Sequence, residues 1–284
     1  MNKTKLIVIL VSIVLISGFS FLVWYGLRHS RGVPVVIEKT ERKILEVMYI
    51  QKDIDLTKDF SYDVWDKIPS LNLNLMYQVT VLPWPKTRPK VSSVSVKAFH
   101  NKRNIYFYLK WEDSTEDRII GTNKFSDACA IMFPLTEITQ PATIMMGFLG
   151  KVNIWHWKAS KDREYWLKQL SDTKVYADFY YPFEEKETFP ISREISGSAV
   201  NDLVAIRVGT ITPKETQNVQ GRGYFIDGSW NVIFKRSFNP VDPEFDAEFK
   251  IGKEKLCAFA VWDGSSGDRG GRKSISDWVI LRIK

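Results

Sequence analysis

Chemistry in this chain has to be built from few donors: three histidines (His29, His100 and His156), two cysteines (Cys129 and Cys257) and six methionines. No H-E-x-x-H, G-x-S-x-G, Walker or Rossmann glycine pattern occurs, so a zinc protease, a serine hydrolase and a nucleotide enzyme all lack their defining groups. The glycines of GRGYFIDG precede no helix and read as turn and strand. The cysteines make no C-x-x-C, which removes thioredoxin-like, zinc-ribbon and iron–sulfur readings, and no C-x-x-C-H, which removes covalent haem attachment. Both lie in apolar runs, SDACAIMFP and KLCAFAVW. Two buried small hydrophobes are expected there, with a disulfide between them as the alternative.

Two segments remain as candidates for a site. PATIMMGFLGKVNIWHWKA (141–159) sets Met145 and Met146 before a glycine, then a strand bearing Trp155, His156 and Trp157. CAFAVWDGSSGDRGGRKSISDW (257–278) breaks a strand into a glycine-rich loop carrying Asp263, Asp268, Arg269, Arg272 and Lys273. Glycines let backbone approach a flat ligand closely, and adjacent arginines suit carboxylates.

The elements that must hold these segments read as β-strands. Short β-branched and aromatic runs alternate with turn residues: 44–50, 91–99, 104–111, 127–134, 152–157, 202–208, 229–236, 255–262 and 277–283. In NIYFYLKW, period two puts Ile105, Phe107 and Leu109 on one face and Tyr106, Tyr108 and Lys110 on the other. Asp227-Gly228 and Asp263-Gly264 mark turns, the first as a hairpin. One helix is expected at DREYWLKQL (162–170), and 178–200 reads as a long surface excursion. The pattern predicts an all-β, immunoglobulin-like antiparallel sandwich with minor helices over 44–284. Ten tryptophans are a surplus, most of which core packing would absorb.

Ahead of that domain, the uncharged run Leu6–Leu27 reaches about 33 Å as a helix, enough to span a bilayer. Residues 1–28 are therefore expected to be a transmembrane anchor and 29–43 a basic linker. Lys3 and Lys5 precede the run and Arg28, Arg31, Lys39, Arg42 and Lys43 follow it, a charge count that alone points the domain to the cytoplasm. Net charge is +7, from 40 basic and 33 acidic residues without a long like-charge run. A nucleic-acid arm is unsupported.

The combination of DACAIMFP, MMG with VNIWHWKA, GRGYFIDGSWNVIFKR, and AFAVWDG with GRKSISDW resembles the haem b (gamma) subunits of type II dimethyl-sulfoxide-reductase-family molybdoenzymes. That group includes the ethylbenzene, dimethylsulfide, selenate, chlorate and nitrate systems, and the resemblance runs from about residue 45 to the C-terminus. It implies one non-covalent haem b with methionine and lysine on the iron, and an electron-transfer subunit that is not catalytic by itself. It implies iron–sulfur (beta) and molybdopterin (alpha) partner subunits, a c-type cytochrome or quinol-linked carrier, and an extracytoplasmic location against the charge count. Met146 falls at the family's Met-Gly position, with Met145 one residue away. Lys273 in GRKS is the expected amine, with Lys255 and Lys214 as alternatives. Trp155, Trp157 and Trp262 are candidates for the pocket wall, and Arg269 and Arg272 for the propionates. The competing expectation is a membrane-anchored carbohydrate-binding or adhesion sandwich that stacks sugars on exposed tryptophans.

Overall fold

The computed structural model describes residues 42–78, 90–135, 149–170, 198–207 and 209–284, and Arg42–Lys284 forms one compact unit. The expected anchor and the pair Met145 and Met146 lie outside the described residues. Among the described residues, no helix is long and apolar enough to cross a membrane.

In chain order the strands are β1 (Ile44–Tyr49), β2 (Leu71–Asn74), β3 (Met76–Tyr77), β4 (Ser93–His100), β5 (Asn104–Glu112), β6 (Ala128–Pro134) and β7 (Leu149–Lys158). Helix α1 (Ala159–Leu170) follows, then β8 (Val200–Arg207), β9 (Thr212–Pro213), β10 (Gln220–Ile226), β11 (Ser229–Ser237), β12 (Glu254–Trp262), β13 (Ser274–Ile275) and β14 (Val279–Ile283). All nine expected strands and the expected helix are present. The Asp227-Gly228 turn joins β10 to β11 with φ of 49° and 67°, the doubly positive pair that a type I′ hairpin demands.

Two sheets share β12. Its first half, Glu254–Cys257, pairs with β14, and its second half, Ala258–Trp262, pairs with β6. The first sheet runs β10-β11-β5-β4-β1-β14-β12 and the second runs β12-β6-β7-β8-β9. This is a sandwich, but the purely antiparallel immunoglobulin expectation needs correction. β1 lies parallel to both β14 and β4, and the strands exceed the roughly seven to nine of an immunoglobulin domain. A parallel neighbour needs a long crossover, and the chain between β1 and β4 supplies it.

Part of that crossover covers the outer face of the first sheet. Trp65 stacks on Tyr108 at 5.0 Å and meets Phe99 at 5.3 Å, while Phe60 lies 5.7 Å from Tyr108. Period two in β5 is therefore correct, yet Tyr106 and Tyr108 on its second face are buried as well.

Between the sheets, aromatic rings fill the core. Phe133 and Trp155 are 4.9 Å apart, Phe107 and Trp155 5.7 Å, and Trp157 and Trp230 5.0 Å. Buried indoles need partners, and Trp155 donates to Asn153 Oδ1 (2.9 Å) and Trp230 to Asp127 Oδ2 (2.9 Å). Cys129 and Cys257 are free and buried, so the expected disulfide alternative does not form.

Asp162 in the first turn of α1 ties three elements together. It accepts from Trp157 Nε1 (2.8 Å), from the Gly223 N–H of β10 (2.8 Å) and from Arg118 Nη1 (3.0 Å). Gly223 is needed for this approach, because a Cβ there would lie 2.1 Å from the Trp157 ring. Burial pushes the Asp162 carboxyl up to about 6 despite these donors. A carboxyl raised in the fold stabilises it at low pH, and that contribution is lost as pH rises from about 4 to about 6. Relative to Asp162→Asn, the wild type should lose stability across that window, by at most about 3 kcal/mol. Urea denaturation of both proteins at stepped pH checks the sign.

Candidate cofactor site on the outer face of the second sheet

Side chains alternate cleanly across the second sheet. Cys129, Ile131, Phe133, Trp155, Trp157, Phe259 and Val261 belong to the core between the sheets. Ala128, Ala130 and Met132 of β6, Ile154 of β7, and Ala258, Ala260 and Trp262 of β12 form a second apolar cluster with Ile275 and Trp278. This outer face is a floor of small residues bordered by indoles, a surface suited to a flat apolar group.

His156 takes the same side of β7 as Ile154 and is buried. Its ring lies 4.8 Å from that of Trp262, and its Nε2 has no hydrogen-bond partner. Burial, then the charges of Lys158, Lys273 and Lys161, hold the imidazole well below the usual histidine range. Lys273 approaches from the loop after β12, its Nζ 4.9 Å from the centre of the Trp262 ring. The loop is fastened at both ends of this contact: Trp262 Nε1 donates to Gly270 O (3.0 Å), and Gln78 N donates to Lys273 O (3.2 Å).

The other expected residues divide. Trp155 and Trp157 point into the core, with the sheet between them and Trp262, so the three do not wall one pocket. Arg269 and Arg272 close a turn near Lys273, Arg272 N donating to Arg269 O (2.8 Å). Arg269 stacks on Phe125 at 4.5 Å. Lys214 is buried between Asp202, at 3.0 Å, and Asp246. Lys255 sits on the half of β12 that belongs to the first sheet, pairing with Leu281. Of the three lysines, only Lys273 meets the outer apolar face. The segment bearing Met145 and Met146 connects β6 to β7, two strands of that floor.

Sequence reasoning gave Trp278 no role and left His156 between a packed core histidine and a haem ligand. The signal for His156 was its parity: in IWHW, the tryptophans fall on one face and the histidine on the other. A haem needs an apolar bed and nitrogen or sulfur donors for iron. The residues here fit that group, since the small-residue floor offers the bed and Lys273, whose Nζ lies over the Trp262 ring of that face, is a nitrogen donor beside it. Every tryptophan among the described residues is buried, which leaves the sugar-stacking expectation no exposed indole there.

A family model described as ethylbenzene dehydrogenase matches residues 62–274. A Haloferax mediterranei protein named as a respiratory nitrate reductase heme subunit, ORF7, is 26% identical over 76% of this chain, which spans 64% of that relative's length. The chlorate reductase subunit gamma of Ideonella dechloratans is 23% identical over 78% of the chain and 77% of its own length. The dimethylsulfide dehydrogenase subunit gamma of Rhodovulum sulfidophilum is 23% identical, over 78% and 73% respectively. Among solved structures, a family 9 carbohydrate-binding module from Caldicellulosiruptor kristjanssonii matches 85% of this chain and 94% of its own at 8% identity and a TM-score of 0.43.

Proposed function

From the premise that the chain belongs to the ethylbenzene dehydrogenase family, we propose that it is the haem-binding electron-transfer subunit of a molybdenum enzyme complex, with no catalysis of its own. The gamma and heme-subunit names of its relatives support this reading. So does one observation in the fold: Lys273, His156 and Trp262 converge on a face floored by alanines. The group is read as haem b, bound non-covalently because the chain has no C-x-x-C-H motif.

Bound haem supplies one-electron chemistry whose potential follows its axial ligands and burial. The protein's part is to bind and orient. Lys273 would offer an amine and Met146 a thioether to the iron, the latter a soft neutral donor that favours the reduced state. Trp262 would hold the lysine head at this face, and the alanines would leave room for an edge of the haem against the sheet. Arg272, with Arg269 beside it, supplies positive charge for propionates at the loop edge.

In this proposal the electrons come from or go to an iron–sulfur beta subunit, and the substrate chemistry belongs to a molybdopterin alpha subunit. The outside carrier is a c-type cytochrome or a quinol-linked protein. Leu6–Leu27 tethers the domain on the extracytoplasmic side. Titrating haem into the purified, folded apoprotein should give one equivalent bound, with a reducible b-type Soret and α-band spectrum. A folded protein that binds no haem contradicts the proposal.

A further inference from the structure

At the end of the sandwich where β5 stops, β6 starts and β12 stops, three carboxylates meet. Asp113, Asp127 and Asp263 are all buried, and each places an oxygen within 4.8 Å of the others. Asp127 is held by Trp230 Nε1 (2.9 Å) and by the backbone N–H groups of Asp117 (2.7 Å) and Gly264 (2.8 Å). Asp263 accepts from Ser265 Oγ (2.6 Å), Ser266 N (3.2 Å) and Ser266 Oγ (2.8 Å). Asp113 Oδ1 accepts only from Thr115 N (3.2 Å).

The second oxygen of Asp113 carries a separate message. It is buried and has no hydrogen-bond partner. The Trp111 indole N–H acts on this carboxyl as a weak donor, without closing a bond of ordinary length and angle. An acceptor left bare beside two further carboxylates is costly unless something positive joins it. Lys90, half exposed, lies 3.7 Å from Asp263.

We propose that Asp113, Asp127 and Asp263 bind one divalent cation, calcium, at this end of the sandwich, separate from the outer-face haem site. The donor set is oxygen alone, which selects a hard ion over zinc, copper or iron. Buried carboxylate oxygens suit calcium, which accepts a flexible cage of protein oxygens, over magnesium, which keeps several of its waters. The fold forces the approach: a Cβ on Gly264 would stand 2.0 Å from Phe125 O, so the loop carrying Asp263 presses directly on the segment carrying Asp127.

The test uses the full chain, stripped with chelator and returned to metal-free buffer. Calorimetric titration with calcium chloride should show one site, and calcium at a hundredfold above its Kd should raise the thermal midpoint by about 5–10 °C. Magnesium and sodium at matched ionic strength should raise it far less. Asp113→Asn keeps the volume and should weaken calcium binding at least tenfold while leaving the haem spectrum unchanged. Absence of both heat and thermal shift in the wild type overturns the proposal, as does equal affinity in a folded Asp113→Asn. If that variant does not fold, the wild-type calcium response decides alone.

Discussion

Lys214→Ala should cost the fold about 3–5 kcal/mol, since it strips the cation from a buried ion pair. The Lys214 ammonium is buried between Asp202 (3.0 Å) and Asp246. Asp202 also accepts from Asn153 Nδ2 at 2.6 Å. Asp246 takes the backbone N–H groups of Val241 and Asp242, both at 2.9 Å, and Asn218 Nδ2 at 2.8 Å. The two acids differ in kind. Burial dominates at Asp202 and raises its pKa, whereas at Asp246 the same penalty is outweighed by the bonds from Lys214, Asp242 and Asn218, which lower it.

Without Lys214, Asp202 loses its main compensation and takes up a proton more readily. The variant's deficit should therefore be smaller at pH 5 than at pH 8. Lys214→Met, which keeps the volume, should be nearly as damaging, and adding Asp202→Asn should recover part of the loss. Urea denaturation of the single and double variants measures each corner. A deficit below about 1 kcal/mol would mean that water reaches this cluster and screens it.

The second large effect concerns the haem ligand. Lys273→Ala should weaken haem binding by at least the ~10–100-fold that loss of even an outer-shell partner costs at a metal site. It should also replace the low-spin spectrum of a six-coordinate iron with a high-spin one. Lys273→Arg should not rescue, because a guanidinium cannot shed its proton to offer a lone pair. Met146→Ala should weaken binding from the other side and lower the reduction potential, by removing a soft ligand. His156→Ala is the informative control. If the imidazole rather than the amine binds the iron, this variant loses the low-spin spectrum and Lys273→Ala keeps it.

Local structure was legible in the sequence where local physics decides it. Alternation marked the strands, Asp227-Gly228 the hairpin, and Asp162 the start of α1. The same alternation, read one step further, would have separated Trp155 and Trp157 from His156. Facing could not be assigned beyond that, because both faces of both sheets carry buried apolar residues, and an alanine-rich strand such as β6 looks the same from either side. The parallel placement of β1 depends on a long crossover folding over Tyr108 and Phe99, which no short window reveals. Choosing among Lys273, Lys255 and Lys214 required knowing that Asp202 and Asp246 surround Lys214. Of the three aspartates at the sandwich end, Asp263 lies far in sequence from Asp113 and Asp127, and each is unremarkable alone.

The central claim is that Lys273 and Met146 hold a haem against the alanine floor of the second sheet. A crystal structure of the haem-loaded protein measures this directly. It should show Lys273 Nζ and Met146 Sδ both bound to the iron, with the haem packed against Trp262 and the apolar face that carries Ala130 and Ala260. Iron bound to His156 Nε2 instead, or haem seated away from Trp262, would contradict the account.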